Sequence, residues 1–268
     1  MAAGQKILCI LTRNVYFCIM FKKEELFQTL TLLAVVLVFH MMERRRPAYV
    51  INRYRELSLN VFVLFAVIFG GELCRGLLFR IYNALDLQSI SSIANLFVLP
   101  SAIKILLALI LGDFSAYWVH RLMHRSRILW RTHDLHHTIV ELWWLSGTRA
   151  SLTHLFLFAA PQILIGYYLL MLAPWEAGVA ASIGVLFNIW DHTNLWINLG
   201  PLGQILITPN YHRVHHLARG LSKKNLGFVF TLWDRMFGTY VNPASVGKDF
   251  AIWTAPRKRP LYSMIVGI

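Results

Sequence analysis

The sequence predicts an all-α, polytopic membrane protein with about four spans. Three observations lead there. Hydrophobic residues make up 57% of the 268, and charged residues only 15%, against about 25% in an ordinary soluble domain. Mean hydropathy is +0.53. The apolar residues fall in blocks about one bilayer long, separated by charged or proline-containing breaks. The basic excess, 26 Lys and Arg against 13 Asp and Glu, concentrates in alternate loops. This composition excludes a disordered chain and argues against a soluble enzyme. The charge of +13 is that of basic flanks on membrane spans, and no nucleic acid is needed to explain it.

The elements follow in chain order. Residues 1–25 form a mixed N-terminal extension. The apolar run 7–11 is cut by Arg13, too short for a span and poor as a secretory signal. Met1 and Met20 both stand as possible starts. Cys9, Cys18 and Cys74 are too few for a disulfide framework and fit a reducing or lipid-facing setting. The first block is 26–42. His40 near its end reads as an interfacial or capping residue, and Glu43-Arg44-Arg45-Arg46-Pro47 closes it. The second block runs over about 57–79 and carries Glu72 and Arg75. The third runs over about 96–119, with Pro100 near its start and Lys104 and Asp113 inside. The apolar stretch 152–190 is broken at Pro161 and at Ala173-Pro174-Trp175-Glu176. This reads as a helical hairpin, either two short spans or a re-entrant pair. Beyond Asp191 the chain is more polar. No repeat appears, so residues 26–268 read as one domain.

Arg44, Arg45, Arg46, Arg53 and Arg55 follow the first span, and Arg121, Arg125, Arg127 and Arg131 follow the third. The intervening loop, 80–95, holds only Arg80. The positive-inside rule places 43–56 and 120–150 in the cytoplasm. The hairpin then returns the chain to that side, and the polar remainder forms a helical, histidine-rich cap there.

Ten of the eleven histidines lie between 120 and 216. His120 and His124 are four apart. His133, His136 and His137 form H-x-x-H-H, and His212, His215 and His216 repeat that form. On a helix, residues four apart share a face, so the first and last histidines of each box can converge on one point. Adjacent histidines diverge by about 100° and can reach two points. A two-metal site held by helix ends requires this pattern. Buried imidazoles without partners are costly, and shared coordination removes that cost while demanding neutral rings. No cysteine lies near the boxes, which argues against structural zinc. Nitrogen ligation suits iron, zinc or copper, and iron suits oxidation of lipid C–H bonds. No Walker loop, G-x-S-x-G or H-E-x-x-H competes.

Asp134, Asp191 and Asp234 are placed to orient ligands through a second ring nitrogen, or to act as caps and surface charges. Asn194 can do the same. Asp113, before His120 on one helix, can face the site or pair with an arginine. Trp143, Trp144, Trp190 and Trp196 suit a membrane interface.

The text Asp113-Phe-Ser-Ala-Tyr-Trp-Val-His120-Arg-Leu-Met-His124, Leu129-Trp-Arg-Thr-His133-Asp-Leu-His136-His137, Asn188-Ile-Trp-Asp-His192-Thr-Asn194 and Thr208-Pro-Asn-Tyr-His212-Arg-Val-His215-His216 resembles the sterol desaturase/fatty acid hydroxylase superfamily of membrane di-iron oxygenases. So does the tail Asn225-Leu-Gly-Phe followed by Leu232-Trp-Asp-Arg-Met-Phe-Gly-Thr239. The resemblance covers about 95–242. It implies nine ligands: His120, His124, His133, His136, His137, His192, His212, His215 and His216. It also implies two iron ions, which zinc can replace in purified protein. Some relatives carry a further histidine four residues after His192, where this chain has Trp196. His154 occupies a stretch where relatives place a histidine closer to the arginine, and reads as a substrate-channel residue or a neighbour of the ligands.

The implied activity is oxygen-dependent hydroxylation or desaturation of a sterol, fatty acyl or related lipid. The implied partners are the membrane, the lipid, dioxygen and an external donor, a ferredoxin or b-type cytochrome with its reductase. Two other readings stand beside it. A metal transporter or sensor would line a path through the bilayer with ligands, whereas these boxes follow span ends on one face. A zinc-dependent membrane hydrolase would need an open site beside a carboxylate base, for which nine histidines are too many. A water-insoluble substrate would enter by an apolar lateral slot between the third span and the hairpin, walled by 108–118 and 152–190, with 191–242 as the cap.

Overall fold

The computed structural model describes residues 5–12, 15–86, 99–217, 221–247, 252, 254–256 and 258–268. It is mostly helical. The exception lies in the N-terminal extension, where Gln5–Thr12 (β1) and Val15–Lys22 (β2) form an antiparallel pair with Cys9 opposite Cys18. The β-branched and aromatic residues of these runs favour extended backbone, a local preference that the hydropathy blocks did not reveal.

The long helices are α1 (Lys23–Arg45), α2 (Leu57–Ala84), α3 (Ser101–Arg125), α5 (Leu152–Ile163) and α6 (Pro174–Asp191). The short helix α4 (Arg127–His133) follows α3 directly. Among the described residues, three stretches are long and apolar enough to cross a membrane: Leu57–Ala84, Ser101–Arg125 and Leu152–Leu169. The third helix starts at Ser101, after Pro100 as its N-cap. The expected span start at 96, with most of the loop 80–95, lies outside the described residues. On α2, Phe62, Phe65, Phe69 and Leu73 project outward with more than half their surface exposed. That three- and four-residue spacing marks one helix face, and an apolar face left uncovered by protein suits lipid.

Local chemistry explains the breaks. Pro161 lacks the N–H of a regular turn, and α5 loosens within three residues into a π-helix, Leu164–Leu169. Pro174 opens α6, and Glu176 accepts the Ala173 N–H at 2.7 Å. Ser151 caps α5 by accepting the His154 N–H at 3.1 Å. Small side chains let α2 and α5 approach. Gly70 lies against Leu152, and Tyr82 donates to the Ala160 carbonyl at 2.7 Å. Leu78, Ile163 and Tyr168 form the core between these helices.

The end of α1, the start of α2, the end of α3, the start of α5 and the end of α6 meet in one layer. Glu43 on α1 accepts from the backbone of Trp144 and of Asn194, just past α6. Asn60 on α2 accepts from the Arg149 side chain, just before α5. α3 packs against both arms of the hairpin, while the arms α5 and α6 make little direct contact with each other.

Candidate metal centre

All nine predicted histidines lie in this layer, and the structure gathers their Nε2 atoms into two groups. His120, His124, His133, His137 and His215 form one, and His136, His192, His212 and His216 the other. Within each group the ligand atoms lie within 4.8 Å of one another.

Local structure produces the division. His120 and His124 stand one turn apart on α3. His133 ends α4, and His136 and His137 lie in a single 3₁₀ turn. Thr208 caps helix α7 (Pro209–His215), and His216 follows as its C-cap. In both boxes the outer histidines join one group and the middle one crosses to the other. His192, just beyond α6, completes the second group.

The spacing fits metal ions. In the smaller group Nε2 separations run around a ring: His136–His216 3.1 Å, His216–His212 3.2 Å, His212–His192 3.1 Å and His192–His136 3.2 Å. A square of that side has its centre about 2.2 Å from each nitrogen, close to a metal–imidazole bond of about 2.0–2.1 Å. In the larger group His120–His133, His137–His215 and His137–His124 lie at 3.0, 3.1 and 3.2 Å.

Proton placement fits too. His120 Nδ1 bonds the Leu226 carbonyl at 2.9 Å, His136 Nδ1 that of Arg149 at 3.0 Å, His192 Nδ1 that of Asn188 at 2.7 Å, and His215 Nδ1 that of Lys224 at 3.1 Å. A carbonyl only accepts, so these Nδ1 atoms donate and the neutral rings turn bare Nε2 lone pairs inward. Lone pairs 3 Å apart repel unless a cation lies between them. Burial, and then the charge each ring would impose on the next, holds His133, His136, His137, His212, His215 and His216 well below the ordinary imidazole pKa. Neutral rings are what ligation needs.

The remaining candidates divide. His154 is half-buried beside the larger group, its Nδ1 3.1 Å from His133 Nδ1 and its ring stacked on Phe158. Asp191 is fully buried, with Oδ1 2.5 Å from His192 Nδ1 and Oδ2 3.8 Å from His212 Nδ1. Asp134 turns away from the imidazoles and grips Arg259 at 2.7 Å. It is the C-cap residue of α4, at the start of its box, and its side chain is aimed outward. Asn194 bonds Tyr49 and Arg213 rather than a ring.

Asp113 does not face the site. It accepts the N–H groups of Phe228 and Val229 on Oδ1, and those of Phe230 and the Trp233 indole on Oδ2, all at 2.9–3.1 Å. Asp234 binds the N–H groups of Leu226 and Gly227. The Leu226 peptide thus links Asp234 to His120, whose Nδ1 its carbonyl accepts.

Three supports were not singled out from the sequence. Arg149 is fully buried among Glu56, Asn60 and Thr138 while its carbonyl holds His136. Its charge within an apolar-flanked run was the available signal. Glu43 had been read only as part of a charged stop. Gly147 lies against the His192 ring, where a Cβ would overlap the imidazole, with Nδ1 only 2.7 Å away. Gly147→Ala should therefore displace His192 and weaken metal retention by the smaller group about 10–100-fold, the range of ligand-orienting contacts. A chelator titration followed by metal analysis checks this.

The fatty acid hydroxylase family model matches residues 105–239. An ornithine lipid hydroxylase of Rhizobium tropici is 38% identical over 151 residues, 54% of this chain and 44% of that protein. Human alkylglycerol monooxygenase is 35% identical over 132 residues, 48% of this chain and 28% of that protein. A very-long-chain aldehyde decarbonylase of Oryza sativa is 25% identical over 215 residues, 76% of this chain and 82% of that protein. The matches to the hydroxylase and the monooxygenase span less than half the length of either relative. No solved structure matches the chain. With its histidine-bearing helices inside the matched region, the chain belongs to the fatty acid hydroxylase family, within the sterol desaturase/fatty acid hydroxylase superfamily.

Proposed function

We propose that the chain is a membrane lipid monooxygenase that hydroxylates a lipid C–H bond at two iron ions. His120, His124, His133, His137 and His215 hold one ion; His136, His192, His212 and His216 hold the other. The observation that carries this reading is the crossing of the two H-x-x-H-H boxes into two compact groups of inward lone pairs. Hydroxylation is preferred to desaturation because relatives are a hydroxylase and monooxygenases. When bound, the irons supply dioxygen-dependent oxidation.

The chain's own residues bind, orient and exclude water. Carbonyls of Leu226, Arg149, Asn188 and Lys224 fix four rings. Phe158 and Phe228 pack against each other at 5.1 Å and both lie beside His120. They form an apolar wall on the larger group, where a lipid carbon would be held away from water. The separation of α5 and α6, with α3 beside both, supports lateral entry from the bilayer. The arginine-rich loops favour a cytoplasmic centre capped by residues 191–242. Electrons come from an external carrier, which the basic face would attract.

The test is metal content per chain together with lipid-dependent dioxygen uptake and lipid profiles of cells with and without the protein. Two irons and a new hydroxylated lipid are expected. One ion or none, or uptake indifferent to lipid, would overturn the reading. The slot has its own test. Nothing lies within 4 Å of a Cβ built on Gly184 of α6, so Gly184→Phe should shift the preferred substrate length while leaving metal content unchanged. Unchanged length preference would remove α6 from the wall.

A further inference from the structure

Several described residues beyond the family match, which ends at 239, lie against the histidine boxes. Ile252 pairs with Leu217 in an isolated antiparallel bridge, immediately after His216. Ala255 donates its N–H to the carbonyl of His137 itself at 2.7 Å, and Thr254 Oγ1 donates to that of Ile139 at 3.1 Å. Arg259 grips Asp134, next to His133, through Nη2 at 2.7 and 2.8 Å and Nε at 3.2 Å, and donates to the Arg131 carbonyl at 2.7 Å. Farther on, Thr153, next to His154, donates to the Gly267 carbonyl at 3.1 Å. Gly267 has φ +85°, and a Cβ there would overlap the Ser151 and Thr153 side chains. Apart from the flanking bonds to Ile139 and Arg131, each anchor is a histidine of the layer or the residue beside one.

We propose that Ile252, Thr254, Ala255, Arg259 and Gly267 anchor a strap that holds the second and third histidine boxes in register, with Arg259 as a positioning residue acting through Asp134. The link to metal binding rests on the two-ion reading above. The need for a strap follows from the boxes. α4 and α7 have seven residues each, and isolated helices below about 12–15 residues are marginal. The second box also leaves α4 for one 3₁₀ turn. Rings that must keep Nε2 atoms about 3 Å apart need support from outside these short elements. A bidentate guanidinium–carboxylate pair supplies direction as well as energy, and the backbone bond to His137 fixes the turn.

The experiment compares intact protein with Arg259→Ala, Arg259→Lys, Asp134→Ala and the Arg259→Ala/Asp134→Ala pair in detergent micelles. Two readouts are taken. The first is backbone amide exchange over 131–139, 209–217 and 57–84 after the metal is stripped with a chelator. The second is the rate of metal loss to that chelator. Both alanine variants should raise exchange over 131–139 severalfold and leave 57–84 unchanged. The pair should exceed neither single variant, and Lys should restore only part of the protection, since an ammonium lacks the planar fork. Metal loss should quicken about tenfold or more, as for other contacts that orient ligands. Unchanged exchange over 131–139 overturns the strap. So do additive effects in the pair, or a rise that extends equally over 57–84. If intact protein holds no metal, the two-ion reading fails, while exchange in stripped protein still decides the strap. Should Arg259→Ala not be recovered folded, Thr254→Val loses a single hydrogen bond and must raise exchange around Ile139.

Discussion

Replacing His215 with alanine should take lipid oxidation to background and loosen the ion of the five-histidine group while the four-histidine group keeps its own. His136→Ala should do the reverse. Two rules compete here. If each box served one ion, His136 and His137 would fail together. The geometry instead pairs His137 with His215 at 3.1 Å and His136 with His216 at 3.1 Å. His137→Ala and His215→Ala should therefore share a phenotype, and His136→Ala and His212→Ala should share the other. Membrane insertion should persist in all four, because it depends on apolar spans. His40→Ala is the control. Its Nδ1 accepts from the Trp144 indole at 3.1 Å, outside both groups, so both ions and most activity should remain. Anomalous scattering at the metal edges, or metal content per chain, separates the outcomes. Loss of the same ion from His136→Ala and His137→Ala would sink the crossed assignment.

The histidine positions were legible because their spacing carries geometry. Four-residue intervals put His133 with His137, and His212 with His216, while the middle histidine of each box must turn elsewhere. His192 has no such interval, and only the family resemblance pointed to it. Trp196 stands where some relatives carry another histidine. The second group has four rings to the first group's five. Helix breaks were legible where proline interrupts an apolar run, as at Pro161, after which α5 loosens, and at Pro174, which opens α6.

What held the rings was not legible. Their acceptors are the backbone carbonyls of Leu226, Arg149, Asn188 and Lys224, and every residue type has such a carbonyl. Asp134 looked suited to orient a ligand because it lies inside a box. Its partner, Arg259, stands 125 residues away, a pairing that only the folded chain reveals. The sequence also left Asp113 open between the site and an arginine. Its four acceptor contacts instead go to backbone and indole N–H groups of the segment after Leu226.

Asp113→Ala should be the most destabilising substitution within α3. The carboxylate is buried and binds three consecutive N–H groups, of Phe228, Val229 and Phe230, plus the Trp233 indole. Alanine leaves these donors unmet, at about 1–3 kcal/mol for each that water cannot reach. Even partial rescue by water leaves a loss of several kcal/mol, a large share of a typical 5–15 kcal/mol stability. The effect also reaches the metal centre. Residues 226–230 carry the Leu226 carbonyl that fixes His120 and the Phe228 ring packed 5.3 Å from it. Asp113→Asn tests the mechanism more finely. Its carbonyl oxygen can still serve two donors, but its amide N–H₂ must face the others and meet donor with donor. Asn should therefore rescue only part of the loss, whereas a residue acting by volume alone would be restored by this near-isosteric change. Thermal unfolding in detergent and metal content measure the two consequences. Full stability in Asp113→Asn would show that the carboxylate's second oxygen carries nothing, and wild-type melting in Asp113→Ala would remove the clamp altogether.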